Sequence, residues 1–151
     1  MYATFHDTAP EKGDHYVFQT IGDGHRFALV LDPTTGTHEV LDDWSGPAAG
    51  QSPGAAAITS FDGPVSEAQA EAGTQDHLLR LKPASATTEG FVRGLLLWEP
   101  HARAVKAVIL STTFDLLEAG SQAVYTTPVP PEVDPALLSK PDRIEICRVI
   151  P

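Results

Sequence analysis

The residues of this 151-residue sequence best suited to chemistry near neutral pH are six histidines and one cysteine. Five of the histidines stand beside or near an acid: His6-Asp7, Asp14-His15, His25 two places after Asp23, His38-Glu39 and Asp76-His77. A carboxylate that orients an imidazole makes a general base, and three converging histidines can hold a divalent metal. Adjacent residues on a strand point to opposite faces, so these sequence neighbours do not themselves form dyads. His15, His25 and His38 are the set that neighbouring strands could draw together, since His25 and His38 both fall at strand ends. Trp98, and equally Trp44, could line an apolar pocket beside them.

No ligand motif supports a metal, so the expectation is no metal, no cofactor and a melting temperature indifferent to chelator. Cys147 alternates with Glu145 near the C-terminus and reads as a small packing residue rather than a nucleophile. A lone cysteine also excludes an intrachain disulfide and any Cys-x-x-Cys pair.

The recognisable catalytic and nucleotide signatures are missing. There is no P-loop, no Gly-x-Ser-x-Gly elbow, no His-Glu-x-x-His and no EF-hand loop. Gly22-Asp23-Gly24 begins a dinucleotide fingerprint, but Phe27 occupies the third glycine's place and a strand follows where a helix should open. His6-Asp7-Thr8 is half of a paired His-x-Thr/Ser phosphoesterase signature whose second half does not occur.

The elements that must position these residues are mainly strands. Tyr16 and Phe18 alternate with polar or smaller neighbours over His15 to Thr20, and Phe27, Leu29 and Leu31 do so in the next segment. Turns at Gly22-Asp23-Gly24 and Asp32 to Gly36 link these to a third strand, Thr37 to Leu41. Trp44 to Gly54 reads as loop, and Ala55 to Phe61 as a strand. Val65 to Ala72 reads as a short helix capped by Ser66 with Gln69 three residues on, and stopped at Gly73.

Further strands are expected at His77 to Lys82, Phe91 to Trp98, Ala104 to Thr113, Gln122 to Thr127 and Arg143 to Ile150. A helix over His101 to Ala119 rivals the strand at Ala104 to Thr113, because Val105, Val108, Ile109, Leu116 and Leu117 also trace a helical face. Pro128, Pro130 and Pro131 make an extended connector, and Asp134-Pro135 opens a short helix. The sum is a mainly β single domain of about eight or nine short strands with two or three short helices, either an antiparallel barrel or a two-layer sandwich. Tyr16, Phe18, Phe27, Leu29, Leu95, Leu97, Ile144 and Ile146 are expected to share its core.

Charge is uneven. The net charge is −10, and Met1 to Gln75 holds eleven acids against two bases, whereas the remainder is nearly balanced. Such a field disfavours nucleic acid and anionic lipid. No apolar run is long enough to span a membrane and no secretory leader is visible, so the chain reads as cytoplasmic. Two functions from different classes remain. One is a non-catalytic binding or regulatory protein in which Asp7, Asp14, Asp23, Asp32, Asp42 and Asp43, beside Trp44, form an acidic rim for a basic protein partner. The other is a small barrel that binds an apolar small molecule, as carrier or cyclase-type enzyme.

Overall fold

The computed structural model describes all residues, Met1–Pro151. Eight antiparallel strands close into a barrel: β1 (Tyr2–His6), β2 (Asp14–Thr20), β3 (Arg26–Asp32), β4 (His38–Ser45), β5 (Ala55–Phe61), β6 (Phe91–Glu99), β7 (Ala104–Ser111) and β8 (Arg143–Ile150). Their order around the wall is β1-β3-β2-β8-β5-β7-β6-β4. A short β1–β4 seam, Tyr2 opposite Glu39 and Ala3 opposite His38, closes the sheet and decides between barrel and sandwich.

The order contains a hidden repetition. β1 to β4 lie as fourth-first-third-second (β4-β1-β3-β2), and β5 to β8 repeat that arrangement as β8-β5-β7-β6. In the second half, helices fill the two crossovers, giving the strand-helix-strand-strand-helix-strand unit called ferredoxin-like. In the first half both crossovers are short loops, residues 7–13 and 33–37. Gly36 lets the second of these pass over β1, because a Cβ there would stand 2.8 Å from that of Tyr2. The halves share no sequence period, since only the inward apolar stripe is common to both.

The helices all come from the second half, and the π-helical turn and α2 reach across to β4 of the first. α1 (Glu67–Asp76) carries the expected capping box of Ser66 and Gln69, but it runs through Gly73 into a π-helical turn (His77–Leu81) and α2 (Lys82–Ala86). Thus His77 to Lys82 is helix, not strand. Pro83 explains the π turn: its ring and missing N–H disrupt regular α-helical bonding, and the Lys82 N–H reaches back five residues to His77 O instead. α3 (Phe114–Thr126) replaces the strand expected at Gln122 to Thr127, and the helix contemplated over His101 to Ala119 resolves into β7 followed by α3. Thr113 caps α3, accepting from the Leu116 N–H, and Leu117 settles on Ala55 and Ala57, whose small side chains admit the helix to the wall.

Inside, Phe18, Leu29, Ile58, Leu95, Leu97, Val108, Leu110 and Cys147 are all at most 1% exposed and fill the barrel's waist. Tyr16 and Phe27 pack on this core, half-buried. Ile144 and Ile146 do not join it: they are 50% and 41% exposed, and the other face of β8, with Cys147 and Val149, turns inward. Since the period of a strand is two, the alternation of β8 fits either face, and closure against β2 and β5 selects the cysteine face. Trp44 belongs to β4 rather than to the following loop, and β1 was not anticipated. No helix is long and apolar enough to cross a membrane.

Candidate functional site

The filled waist leaves charged side chains at both ends of the interior. Each end follows from the inward stripe of its strands, because Lys106 shares a face with Val108 and Leu110, and Arg93 with Leu95 and Leu97.

At one end, Arg93 forks onto Asp43 with contacts of 2.9 and 2.7 Å, donates to the Tyr16 hydroxyl at 3.0 Å and lies 3.5 Å from Asp14. The carboxylate of Asp43 holds the guanidinium pKa above its ordinary value, against burial. An open, mostly polar depression of about 550 Å³ lies here, lined by Tyr16, Asp43 and Arg93 with Ser45, Val92 and residues 50–53. It is the larger cavity, but its cation is already paired, so no charge is left over for a ligand.

The opposite end is different. A mouth of about 390 Å³ is walled by Phe5, Phe27 and Ile58 and carries His38, Lys106 and Glu145, with His6, Asp7 and His25 at the rim. Lys106 has no carboxylate within ion-pair distance; its single hydrogen bond, 2.7 Å, is to Ser60 Oγ, and its Nζ stands 5.7 Å from the centre of the Phe5 ring. Burial, then the neighbouring Arg143, pushes its pKa down, while Glu145 and Asp62 pull it up. His38 is 9% exposed and meets Phe5 edge-on at 5.6 Å. Its Nδ1 pairs with Thr37 Oγ1 at 2.9 Å, and Nε2 has no protein partner. Burial, with Lys106 adding to it, lowers the imidazole pKa and keeps the ring neutral.

Two of the three histidines in the expected set are brought to one mouth. His25 and His38 both face the mouth, where His25 stacks on Phe27 at 5.7 Å. His15 lies away from it with Nδ1 on Gly13 O, and Trp98 lies under Arg103, whose guanidinium carbon is 5.2 Å from the ring centre. No group of three or more His, Cys, Asp or Glu is placed to hold a metal ion. The Cys147 thiol is wholly buried and pushed up to about 12 by desolvation, so it is no nucleophile.

The six aspartates do not share one rim. Asp7 lines the mouth, whereas Asp14 and Asp43 hold Arg93 at the far end. Asp23 caps the turn at Thr20 and His25, and Asp32 that at Thr34 and Thr35. Asp42 and Asp43 are strand residues rather than loop charges. Asp42 meets His77 Nε2 at 2.8 Å and Lys82 Nζ at 3.0 Å beneath the helices; burial opposes its ionisation, but those two hydrogen bonds outweigh it and lower the pKa. Trp44 is buried beside this pair, donating from Nε1 to Ser85 Oγ at 3.1 Å.

Lys106, Phe5 and Ser60 were not singled out by motif. The signal was present in Ala104-Val105-Lys106-Ala107-Val108-Ile109-Leu110, a lone charge on the apolar stripe of a strand.

No family model matches the sequence, and no curated protein matches it. Among solved structures, the chain is similar to LmHde, a heme-degrading enzyme from Listeria monocytogenes, with 9% identity, TM-score 0.64 and 97% of each chain covered. It is also similar to an uncharacterised ferredoxin-fold protein related to antibiotic biosynthesis monooxygenases, again from Listeria monocytogenes (10% identity, TM-score 0.61, 94% of this chain and 83% of that one). A major regulator of staphylococcal pathogenesis has the same fold at 12% identity, TM-score 0.59, with 92% and 85% covered. At such identities the likeness defines a fold, the barrel of two fourth-first-third-second sheets.

Proposed function

We propose that the protein is a small-molecule-binding barrel whose ligand enters the mouth lined by Phe5, Phe27, Ile58, His38 and Lys106. The observation that carries this reading is Lys106: a half-buried amine without a carboxylate, at the open end of an otherwise filled barrel, beside an aromatic ring and a neutral histidine. A protein that needed only a stable core would gain by an apolar residue there. A flat, partly apolar molecule with one polar substituent fits: the phenyl rings cover its body while Lys106 and His38 Nε2 meet its polar group. The heme-degrading and monooxygenase-related neighbours support a role with small molecules.

Haem itself does not fit. Of the two buried histidines, His77 is committed to Asp42 beneath Trp44, and His38 opens on a mouth with three apolar walls. Neither stands beside the broad apolar slot a porphyrin requires.

Native mass spectrometry of the protein as purified, and after incubation with small aromatic compounds, should show one-to-one complexes that Lys106→Met weakens. An unliganded mass under every condition would remove the reading.

A further inference from the structure

Building on the mouth as a ligand site, we infer that Lys106 is a nucleophilic amine that binds carbonyl compounds, aromatic aldehydes or ketones, as a reversible imine. Ser60 is the hydrogen-bond partner of this amine. Its hydroxyl is fully buried, and its one side-chain hydrogen bond is to Lys106 Nζ. Against an ammonium, which can only donate, the hydroxyl proton has no acceptor; against an unprotonated amine, the hydroxyl donates to the nitrogen lone pair and is satisfied. The buried hydroxyl therefore favours the free amine.

The strand register adds a second cause. Ser60 lies opposite Lys106 on β7 and opposite Arg143 on β8, so the two cationic side chains branch from the strand positions on either side of it, that of Arg143 half exposed. A neighbouring cation and partial burial are the two means by which a lysine is kept nucleophilic. Arg143 is also tied to Asp62 at 2.6 Å, and Glu145 stands one layer deeper, opposite Ile58; both acids temper the effect. Burial and Arg143 nevertheless leave the Lys106 pKa depressed.

His38 supplies the proton relay. With Nδ1–H donating to Thr37 Oγ1, and the Thr37 hydroxyl donating to Ala3 O at 3.4 Å, Nε2 carries a lone pair. The Lys106 nitrogen attacks the carbonyl carbon, forming a C–N bond as the C=O π pair moves to oxygen. The two amine protons pass to that oxygen, relayed by Nε2. The oxygen leaves as water as the C=N bond closes. Nothing is oxidised or reduced, and water reverses the sequence.

The test is reductive trapping with 2-naphthaldehyde and sodium cyanoborohydride near pH 7, followed by peptide mapping. Lys12 and Lys140, both exposed, serve as references within the same molecule. Lys106 should be alkylated several-fold faster than either, because its lowered pKa leaves more of the amine unprotonated near neutral pH. Lys106→Arg should abolish the fast site and leave the others. Labelling of Lys106 no faster than Lys12 and Lys140 overturns the inference. A parallel titration with 2-naphthalenemethanol, which has no carbonyl, separates the two readings. If the alcohol binds the mouth but Lys106 is not labelled preferentially, only the imine falls; if the alcohol does not bind either, the mouth falls with it.

Discussion

Trp44 lies flat against Gly94, its partner across the β4–β6 pair, so closely that a Cβ on Gly94 would stand 2.3 Å from the indole. The glycine is thus a seat for the ring, which in turn fills the space between the wall and the π-helical turn, meeting His77 at 4.7 Å and Phe91 at 6.1 Å. Gly94→Ala should destabilise the fold by about 1 to 3 kcal/mol through overpacking. Urea unfolding measures it, and an unchanged midpoint would show that Trp44 moves aside freely.

Asp42 anchors the same layer to the barrel. Asp42→Ala leaves the buried His77 Nε2 without its acceptor and should cost about 1 to 3 kcal/mol. Asp43→Ala should cost less, since Arg93 keeps Tyr16 and partial solvent access. Equal losses in the two variants, by denaturant titration, would contradict the difference in burial.

In the waist, Leu97 is fully enclosed, so Leu97→Ala should cost about 2 to 5 kcal/mol. Ile146→Ala, on the exposed face of β8, should be much milder. That contrast tests which face of β8 turns inward.

His38 gives stability a pH dependence. Its folded pKa lies below the unfolded value, so the unfolded chain takes up the proton first. The stability of the neutral ring is present above about pH 6.5, the ordinary histidine value, and is lost as pH falls toward the depressed folded pKa. His38→Gln should flatten the slope of unfolding free energy between about pH 7 and 5; an unaltered slope would place the titration elsewhere.

Much of the barrel was legible because period-two alternation is a local signal: β2, β3, β5, β6 and β7 are visible in Phe18, Leu29, Ile58, Leu95 and Val108. What escaped is set by tertiary contact. His77-Leu78-Leu79-Arg80-Leu81 is helical with Leu78 and Leu79 about half exposed, so no buried stripe announced it. Ile144 and Ile146 form an apolar period-two stripe, but alternation alone fits either face of β8, and pairing with β2 and β5 turns the Cys147 face inward. His25 and His38 line one mouth as strand ends can, whereas the unpaired state of Lys106 is set by barrel closure, which brings no carboxylate to it.

The mouth as ligand site is tested most directly by backbone amide chemical-shift mapping during titration with 2-naphthalenemethanol. Saturable shifts should concentrate at Phe5, Phe27, His38, Ile58 and Lys106, and shrink in Lys106→Met and Phe5→Ala. Saturable shifts centred instead on Tyr16, Asp43 and Arg93 at the opposite end, or none at millimolar ligand, would contradict the account.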